Sequence, residues 1–223
     1  SYEYEVRVQF LELYGEEIRD LLNPRPQTGT SSSHQKLTIR DFGNEEPEVV
    51  GATMHKVDSP EEALMCLTSG MYRRVTASTA MNEASSRSHA ILSIVVEQSI
   101  ILNVDSNKQS PASKRLNSAE EEEISQVQGS DQHVQSKVSR FNFVDLAGSE
   151  RQKRTQATGQ RLKEGIDINK GLFVLGNVIS ALGDIKKQGS FVPYRDSKLT
   201  RLLKGSLGGN HKTLMIACVS PSS

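Results

Sequence analysis

The 223-residue sequence has no tryptophan, only two cysteines and no apolar run long enough to span a bilayer. Cys66 and Cys218 lie far apart and match no metal-binding or disulfide spacing, which favours a reducing intracellular compartment. No signal peptide is recognisable, and nothing in the sequence indicates a membrane partner. The remaining composition, 35% hydrophobic and 24% charged residues, is that of an ordinary soluble globular protein.

Neither sign of charge is in excess, because 27 Lys and Arg balance 27 Asp and Glu. The balance hides a division along the chain. Residues 1–65 hold 6 Lys and Arg against 13 Asp and Glu (net −7), whereas residues 151–205 hold 12 against 4 (net +8). Such a basic segment is either a solvated helix face or a surface for a polyanion, which could be nucleic acid or an acidic protein. No recognition motif or aromatic stacking platform accompanies it, which disfavours direct nucleic-acid binding.

The sequence also lacks the phosphate-binding loop Gly-x-x-x-x-Gly-Lys-Ser/Thr. Its nearest match, Gly-Gly-Asn-His-Lys-Thr at residues 208–213, has no glycine directly before the lysine. We interpret this stretch as a turn that enters the last strand. The 223 residues by themselves therefore do not supply a complete nucleotide site.

Hydrophobic periodicity predicts strands interleaved with helices, and hence an α/β sheet with helices on both faces. Ser59 and Pro60, followed by two glutamates, are a strong helix start. Arg73 and Arg74 suit the C-terminal end of that helix. The other predicted elements are strands at 4–10, 36–42, 49–57, 90–101 and 214–219, helices at 168–182 and 196–203, and a short helical turn at 17–22.

Residues 103–137 interrupt this pattern. They consist mainly of Ser, Gln, Glu, Lys and Asn, with almost no aromatic or branched residues. Such a segment cannot bury enough apolar surface to fold alone. We interpret it as a disordered insertion between two neighbouring strands.

The stretch Phe-Asn-Phe-Val-Asp-Leu-Ala-Gly-Ser-Glu at residues 141–150 carries the first chemical signal. An apolar run that ends at Asp145 is typical of a buried strand that delivers a carboxylate to a phosphate and metal site. Gly148 then allows a backbone N–H to approach a terminal phosphate closely. By itself Asp-x-x-Gly is more often a helix cap or a turn.

The second signal, Asn-Glu-Ala-Ser-Ser-Arg-Ser-His at residues 82–89, makes the phosphate site the better interpretation. Its adjacent hydroxyls suit a Mg²⁺ shell and phosphate oxygens. Its guanidinium, Arg87, can pair with the carboxylate of Glu150.

Together the two stretches resemble the switch loops of a kinesin motor domain. The resemblance extends to Gly-Asn-Val-Ile-Ser-Ala-Leu at residues 176–182 and Val-Pro-Tyr-Arg-Asp-Ser-Lys-Leu-Thr-Arg-Leu-Leu at residues 192–203. Glu-Gly at 164–165 and the C-terminal Met-Ile-Ala-Cys-Val-Ser-Pro-Ser look most like the chromokinesin-type branch. Myosins have a related Ser-Ser-Arg and Asp-x-x-Gly, but the residues Ser88-His89 and 147–150 match the kinesin motifs instead.

The resemblance implies a P-loop NTPase core with a mixed, mostly parallel sheet, which uses ATP and Mg²⁺. Kinesins place the phosphate loop earlier in the chain, so residues 1–223 are expected to be the C-terminal part of a motor domain, without its final helix and neck linker. We expect this fragment alone to be inactive as an ATP hydrolase.

The resemblance also implies a role for each matching residue. Ser86 and Asp145 would hold Mg²⁺, the latter through its water shell, and Gly148 would donate its N–H to the γ-phosphate. Arg87 and Glu150 would pair when the site closes, and Glu150 would then take the proton from the attacking water through a second water. The nucleotide contacts implied are Asn82, Ser85, Ser86 and Gly148.

The basic segment would correspond to the microtubule-binding face. The residues implied there are Arg151, Lys153, Lys170, Arg195, Lys198 and Arg201. Asp167 and Gly205 depart from the Asn and Asp expected at their positions, which bears on the affinity of this face for its track.

The function implied is that of a microtubule motor whose parent protein couples ATP hydrolysis to movement along microtubules. The alternative is a kinesin-like module that binds tubulin without ATP turnover; a basic nucleic-acid-binding module is disfavoured. The expected location is the cytoplasmic microtubule cytoskeleton, with the spindle or nucleus as further sites. Dimerisation would need regions that are not in this sequence.

Overall fold

The computed structural model describes residues 2–23, 37–41, 46–79, 87–103, 132–149, 160–184 and 191–218. The strands are β1 (Tyr2–Tyr14), β2 (Glu17–Asp20), β3 (Thr38–Arg40), β4 (Glu48–Val50), β5 (His55–Val57), β6 (Ser88–Asn103) and β7 (Gln132–Asp145). The helices are α1 (Pro60–Thr79), α2 (Gln160–Gly183) and α3 (Lys198–Leu202), and a 3-10 turn (Tyr194–Asp196) precedes α3. Among these residues no helix is long and apolar enough to cross a membrane.

The main sheet has the order β2-β1-β6-β7, with β5 also paired to β1, while β3 and β4 form a separate hairpin. Every strand pair in the described part of the chain is antiparallel. The α/β class is confirmed, but the expectation of a mostly parallel sheet is wrong for these residues. Neighbouring parallel strands need a long crossover between them. Here β1 instead turns directly into β2 at Gly15 (φ 56°) and Glu16, and β6 pairs with β7 along its whole length from Ala90 onwards.

The central strand β1 is covered on both faces, as its alternating sequence predicts. On one face, Val8 and Phe10 pack against α1. On the other face, Leu11 and Leu13 pack in a core with residues of α2 and α3. An ideal Cβ on Gly70 of α1 would lie only 2.2 Å from Cδ1 of Phe10, so the helix lies against the sheet at a distance that only glycine permits.

The start of α1 agrees with its sequence. The Glu62 N–H donates to Ser59 Oγ at 3.2 Å, and Glu62 Oε2 accepts from the Asp58 N–H at 2.9 Å. The Ser59 side chain thus satisfies one backbone donor that the first helical turn leaves unpaired, and the Glu62 side chain satisfies a donor of the residue before the cap.

Other local predictions need correction. Residues 17–22 were expected to form a helical turn, but residues 17–20 form β2, because hairpin pairing with β1 outweighs their helical propensity. Residues 214–218, expected in a buried strand, have no regular secondary structure and expose the side chains of Leu214, Met215 and Ile216. No described strand pairs with them.

The predicted insertion is shorter at both ends than the sequence suggested. Asn103 is the last residue of β6, and residues 132–137 belong to β7, where Gln132 pairs with Asn103. Cross-strand pairing accommodates this polar sequence at the end of a two-stranded ribbon. The rest of the predicted insertion, residues 104–131, lies outside the described residues.

Candidate functional site

The two motif stretches meet at one edge of the sheet. β6 begins at Ser88 and β7 ends at Asp145, and the register pairs Ala90 with Asp145. The antiparallel pairing therefore brings Ser88 and His89 beside the loop that contains Ala147 and Gly148. Asn82, Ser85, Ser86 and Glu150, which complete the predicted site, lie outside the described residues.

Asp145 has an exposed carboxylate held from beneath by a buried arginine. Its side chain is 72% exposed, whereas that of Arg74, which lies in α1 five residues before the helix ends at Thr79, is 3% exposed. Arg74 Nη1 donates to Asp145 Oδ2 at 2.9 Å. The same guanidinium donates through Nη2 to the Ser88 carbonyl at 2.8 Å and through Nε to Ser88 Oγ at 3.3 Å. One side chain thus fixes both the end of β7 and the start of β6.

Sequence reasoning placed Arg74 only at a helix end and missed this role. A signal was present in the helical spacing. Ala63, Leu67, Gly70 and Arg74 follow one another at intervals of three or four residues, so Arg74 lies on the buried stripe of α1. A charged residue on a buried stripe requires a partner of opposite charge.

A second carboxylate, that of Glu12, lies behind Arg74 in the core. Glu12 belongs to β1, and its side chain is 2% exposed. Its Oε1 lies 3.9 Å from Arg74 Nε, and its Oε2 lies 3.6 Å from Arg19 Nη1. Within the described residues Oε2 has no hydrogen-bond partner. A buried carboxylate of this kind depends on the two neighbouring guanidinium groups for its charge compensation.

His89 connects the two stretches directly. Its side chain is buried, and Nδ1 accepts a hydrogen bond from the Ala147 N–H at 2.9 Å. Burial, with a smaller contribution from the neighbouring Arg74, lowers the pKa of His89 from 6.5 to about 4, against the opposite effect of Asp145. The imidazole is therefore neutral at physiological pH and can act as an acceptor.

The described carboxylates fit a weakly chelated Mg²⁺ rather than a metal held by a protein cage. No group of three or more His, Cys, Asp or Glu in the described segments is placed to hold a metal ion. Asp145 alone offers an exposed carboxylate at the end of its strand. Mg²⁺ that serves phosphate chemistry keeps several waters and takes one or two protein carboxylates, which is compatible with this arrangement.

The predicted track-binding residues separate into two groups. Lys170 on α2 and Arg195 in the 3-10 turn are exposed, and α2, the 3-10 turn and α3 pack together. Arg151 and Lys153 lie outside the described residues. Lys170 and Arg195 thus lie on two elements, α2 and the 3-10 turn, that pack against each other.

Lys198 and Arg201, by contrast, are half-buried in contacts within the chain. Arg201 Nη2 donates to the Ile39 carbonyl and to Asp41 Oδ2, both at 3.0 Å. Lys198 Nζ donates to the Glu16 carbonyl, and the Lys198 N–H donates to Glu16 Oε2 at 3.1 Å. These contacts attach α3 to the β1–β2 turn and to β3, so the side chains of Lys198 and Arg201, which the resemblance assigned to the track-binding face, are already engaged within the chain.

Comparison with known proteins identifies the family of this chain. The chain matches the kinesin motor domain family model over residues 1–223. It is 49% identical over 222 residues to the human chromosome-associated kinesin KIF4A, covering 100% of this chain and 15% of the relative. It is 47% identical over 226 residues to the human kinesin-like protein KIF21A, covering 99% of this chain and 13% of the relative.

Solved structures give the same result. A KIF14 dimer with AMP-PNP in complex with a microtubule matches with a TM-score of 0.72 at 39% identity, covering 99% of this chain and 53% of the matched chain. KIF14 with ADP in complex with a microtubule matches with a TM-score of 0.70 at 41% identity, covering 99% of this chain and 54% of the matched chain. The chain thus spans about half the length of these matched chains.

Proposed function

Because the chain belongs to the kinesin motor domain family, we propose that it is part of a microtubule motor whose complete domain couples ATP hydrolysis to movement along microtubules. The observation that carries this proposal is the convergence of the two motif stretches on Arg74. That side chain contacts both Ser88 and the exposed carboxylate of Asp145. Such an arrangement presents a rigid anion to a metal while it keeps the two stretches in register.

Each residue of the site then has a task. When bound, ATP would supply the phosphoryl group, and Mg²⁺ would supply the positive charge that neutralises it. Asp145 offers its exposed carboxylate to the waters of the metal, and Arg74 keeps that carboxylate oriented. Gly148 offers a backbone N–H without a side chain in the way. Ser86 is the proposed direct metal ligand, with Asn82 and Ser85 as further nucleotide contacts.

Arg87 and Glu150 are proposed to act as a pair. In the closed site Glu150 accepts the proton of the attacking water through a second water, and Arg87 holds the carboxylate in place. This assignment is supported by the family membership and by the position of Arg87 directly before β6, next to Ser88.

The proposed track-binding face is centred on Lys170 and Arg195, with Arg151 and Lys153 as further members. Support comes from the exposure of Lys170 and Arg195 and from the net charge of +8 carried by residues 151–205 (12 Lys and Arg, 4 Asp and Glu). The matched KIF14 structures are themselves complexes with a microtubule. Lys198 and Arg201 contribute mainly by fixing α3 beneath this face. The proposed location is accordingly the microtubule cytoskeleton, and the chromosome-associated relatives favour the spindle or nucleus as well.

The test is ATP turnover by the full-length protein, with and without microtubules, together with co-sedimentation. We expect turnover that microtubules stimulate and that Asp145→Asn abolishes, because the variant removes the anion offered to the metal. Lys56→Met is the matched control, since its exposed ion pair with Glu5 lies away from the site. Co-sedimentation without turnover would favour a tubulin-binding module that has lost hydrolysis. A protein that neither binds microtubules nor hydrolyses ATP would refute the proposal.

A further inference from the structure

His89 joins the start of β6 to the loop after β7 by a hydrogen bond to that loop's backbone. Its Nδ1 accepts from the Ala147 N–H at 2.9 Å, and both residues are buried. Arg74 connects the same two stretches through the side chain of Asp145, which is itself largely exposed. The imidazole therefore holds the loop backbone directly, whereas this contact of the arginine holds it through the carboxylate that precedes the loop.

The imidazole is suited to this contact in its neutral form. The groups that face it are the guanidinium of Arg74 and the carboxylate of Asp145, and burial holds its pKa at about 4. With Nδ1 as the acceptor, the proton of the neutral ring is on Nε2. On that side of the ring lies α2, where an ideal Cβ on Gly171 would be 3.7 Å from Nε2. The ring is thus enclosed between β6, the loop and α2.

The contact determines which backbone donors of the loop stay available. The Ala147 N–H is occupied by His89, so a phosphate oxygen cannot use it. The next N–H along the chain, that of Gly148, makes no hydrogen bond with any of the described residues and follows directly from a fixed residue. Shifting Ala147 would move the Gly148 donor with it, because a single planar peptide unit links the two residues.

We propose that His89 is a positioning residue for ATP hydrolysis, which holds the loop after β7 through the Ala147 N–H and so directs the Gly148 N–H at the terminal phosphate. This inference rests on the proposed function. It assigns to a buried imidazole a task in the reaction, beyond packing, and it does not require the imidazole to gain or lose a proton.

The test compares acceptors at position 89 in the full-length protein. His89→Asn places its amide oxygen where Nδ1 stood, one bond beyond Cγ. His89→Gln carries the same amide one carbon further out, and His89→Leu fills the site without an acceptor. Gly171→Ala is the matched control, since it adds a methyl group at ordinary contact distance from the ring and leaves Nδ1 in place.

Two readouts are needed. Hydrogen exchange of a peptide covering residues 145–149 should be roughly tenfold faster in His89→Leu and His89→Gln, as expected for the loss of one backbone hydrogen bond, and close to wild type in His89→Asn and Gly171→Ala. The kcat for ATP should fall roughly tenfold or more in the two defective variants, with KM changed by less than about threefold, because the contact acts on the transition state. His89→Asn should recover most of the loss.

The outcomes separate the hypotheses. If His89→Asn is as defective as His89→Gln while both melt at the wild-type temperature, the acceptor has no role and the inference is overturned. Unchanged exchange in His89→Leu would overturn it as well. A wild-type protein that hydrolyses no ATP would overturn the positioning role along with the proposed function. In that case, exchange that still depends on the acceptor at residue 89 would locate the failure in the function rather than in the contact.

Discussion

Removal of the guanidinium of Arg74 gives a direct measure of how the site is supported. Arg74→Met keeps the length and apolar bulk of the side chain but leaves the carboxylate of Glu12 buried, with Arg19 Nη1 at 3.6 Å as its remaining cation. Breaking a buried ion pair by removing one partner costs about 3–5 kcal/mol. We expect a loss near the lower limit, about 3 kcal/mol, because Arg19 persists and the Arg74–Glu12 separation is already 3.9 Å.

The contact with Asp145 adds little to that loss in stability. The carboxylate of Asp145 is 72% exposed, so water solvates it when the arginine is removed. Ion pairs at exposed sites contribute about 0–1 kcal/mol. The main effect of losing this contact should appear in Mg²⁺-dependent nucleotide binding rather than in unfolding.

The assay is urea unfolding of the full-length protein in a double-mutant cycle with Glu12→Leu. Replacing both partners by apolar residues removes the unpaired charge, so the double variant should be about 2 kcal/mol more stable than the sum of the single effects predicts. Lys56→Met, at an exposed ion pair with Glu5, is the matched control and should change stability by less than about 1 kcal/mol. An Arg74→Met variant as stable as this control, or two strictly additive changes, would refute the buried ion pair as a support of the site.

Four further predictions concern the proton acceptor, the predicted insertion, the proposed track-binding face and the dependence of stability on pH. Glu150→Ala should leave ATP binding nearly intact and lower turnover roughly a hundredfold or more, as measured by steady-state kinetics; survival of turnover within a few fold would show that Glu150 is not the proton acceptor. Deletion of residues 104–131, which the sequence predicts to belong to an insertion between neighbouring strands, should lower the melting temperature by only a few degrees, since changing the length of a loop costs on the order of 0.6 kcal/mol per doubling. Lys170→Ala with Arg195→Ala should weaken microtubule co-sedimentation by roughly 1–3 kcal/mol at low salt and less at high salt, and equal binding at low salt would exclude this face. The pKa of His89 is about 4 in the folded protein and ordinarily 6.5, so between these pH values the unfolded chain takes up a proton that the folded chain does not. The free energy of unfolding should therefore fall as the pH drops from 6.5 towards 4. Urea titrations in Mg²⁺-free buffer measure this fall, which should be less steep in His89→Asn.

The convergence of the two motifs was predictable from sequence, whereas the support beneath them was not. An apolar strand that ends at Asp145 and another that starts after Ser88 indicate neighbouring strand ends on chemical grounds alone. The contact of Arg74 with both stretches requires α1 to lie at one particular height, that is, one particular distance from the sheet. That height depends on the close approach of Gly70 to Phe10, which no local pattern reveals.

Strand direction was the feature that sequence patterns conveyed least well. Alternation and apolar runs identify a strand but do not distinguish parallel from antiparallel pairing. The direction depends on the connections, and here the tight turn at Gly15 and the pairing of Asn103 with Gln132 make the described pairs antiparallel. Residues 17–20 illustrate the same difficulty, because a four-residue segment forms a strand only when a partner such as β1 is beside it.

Charge counts likewise predicted a basic surface but not which cations remain available. Lys198 and Arg201 lie on a helix of only five residues, which needs anchoring by its neighbours. The Glu16 carbonyl and Asp41 provide it. A spacing argument cannot distinguish such anchoring cations from exposed ones such as Arg195, since the partners come from distant parts of the chain.

The contacts around the site also indicate how it could respond to events on either face of the sheet. From one face, α1 reaches Asp145 through Arg74. From the other face, α2 reaches the loop after β7 through His89. Gly171 is the point of contact on α2, because an ideal Cβ there would lie 3.7 Å from His89 Nε2. The same Cβ would lie 3.8 Å from Cδ2 of Leu199 in α3. A displacement of α2 and α3, which carry or adjoin the proposed track-binding residues, would therefore press on the imidazole that holds Ala147 before it affected Asp145. Packed side chains and rigid elements carry coupling of this kind when the elements have two discrete arrangements that both sites favour differently. We therefore expect track binding to act first on the backbone donors of the loop and only then on the metal-facing carboxylate.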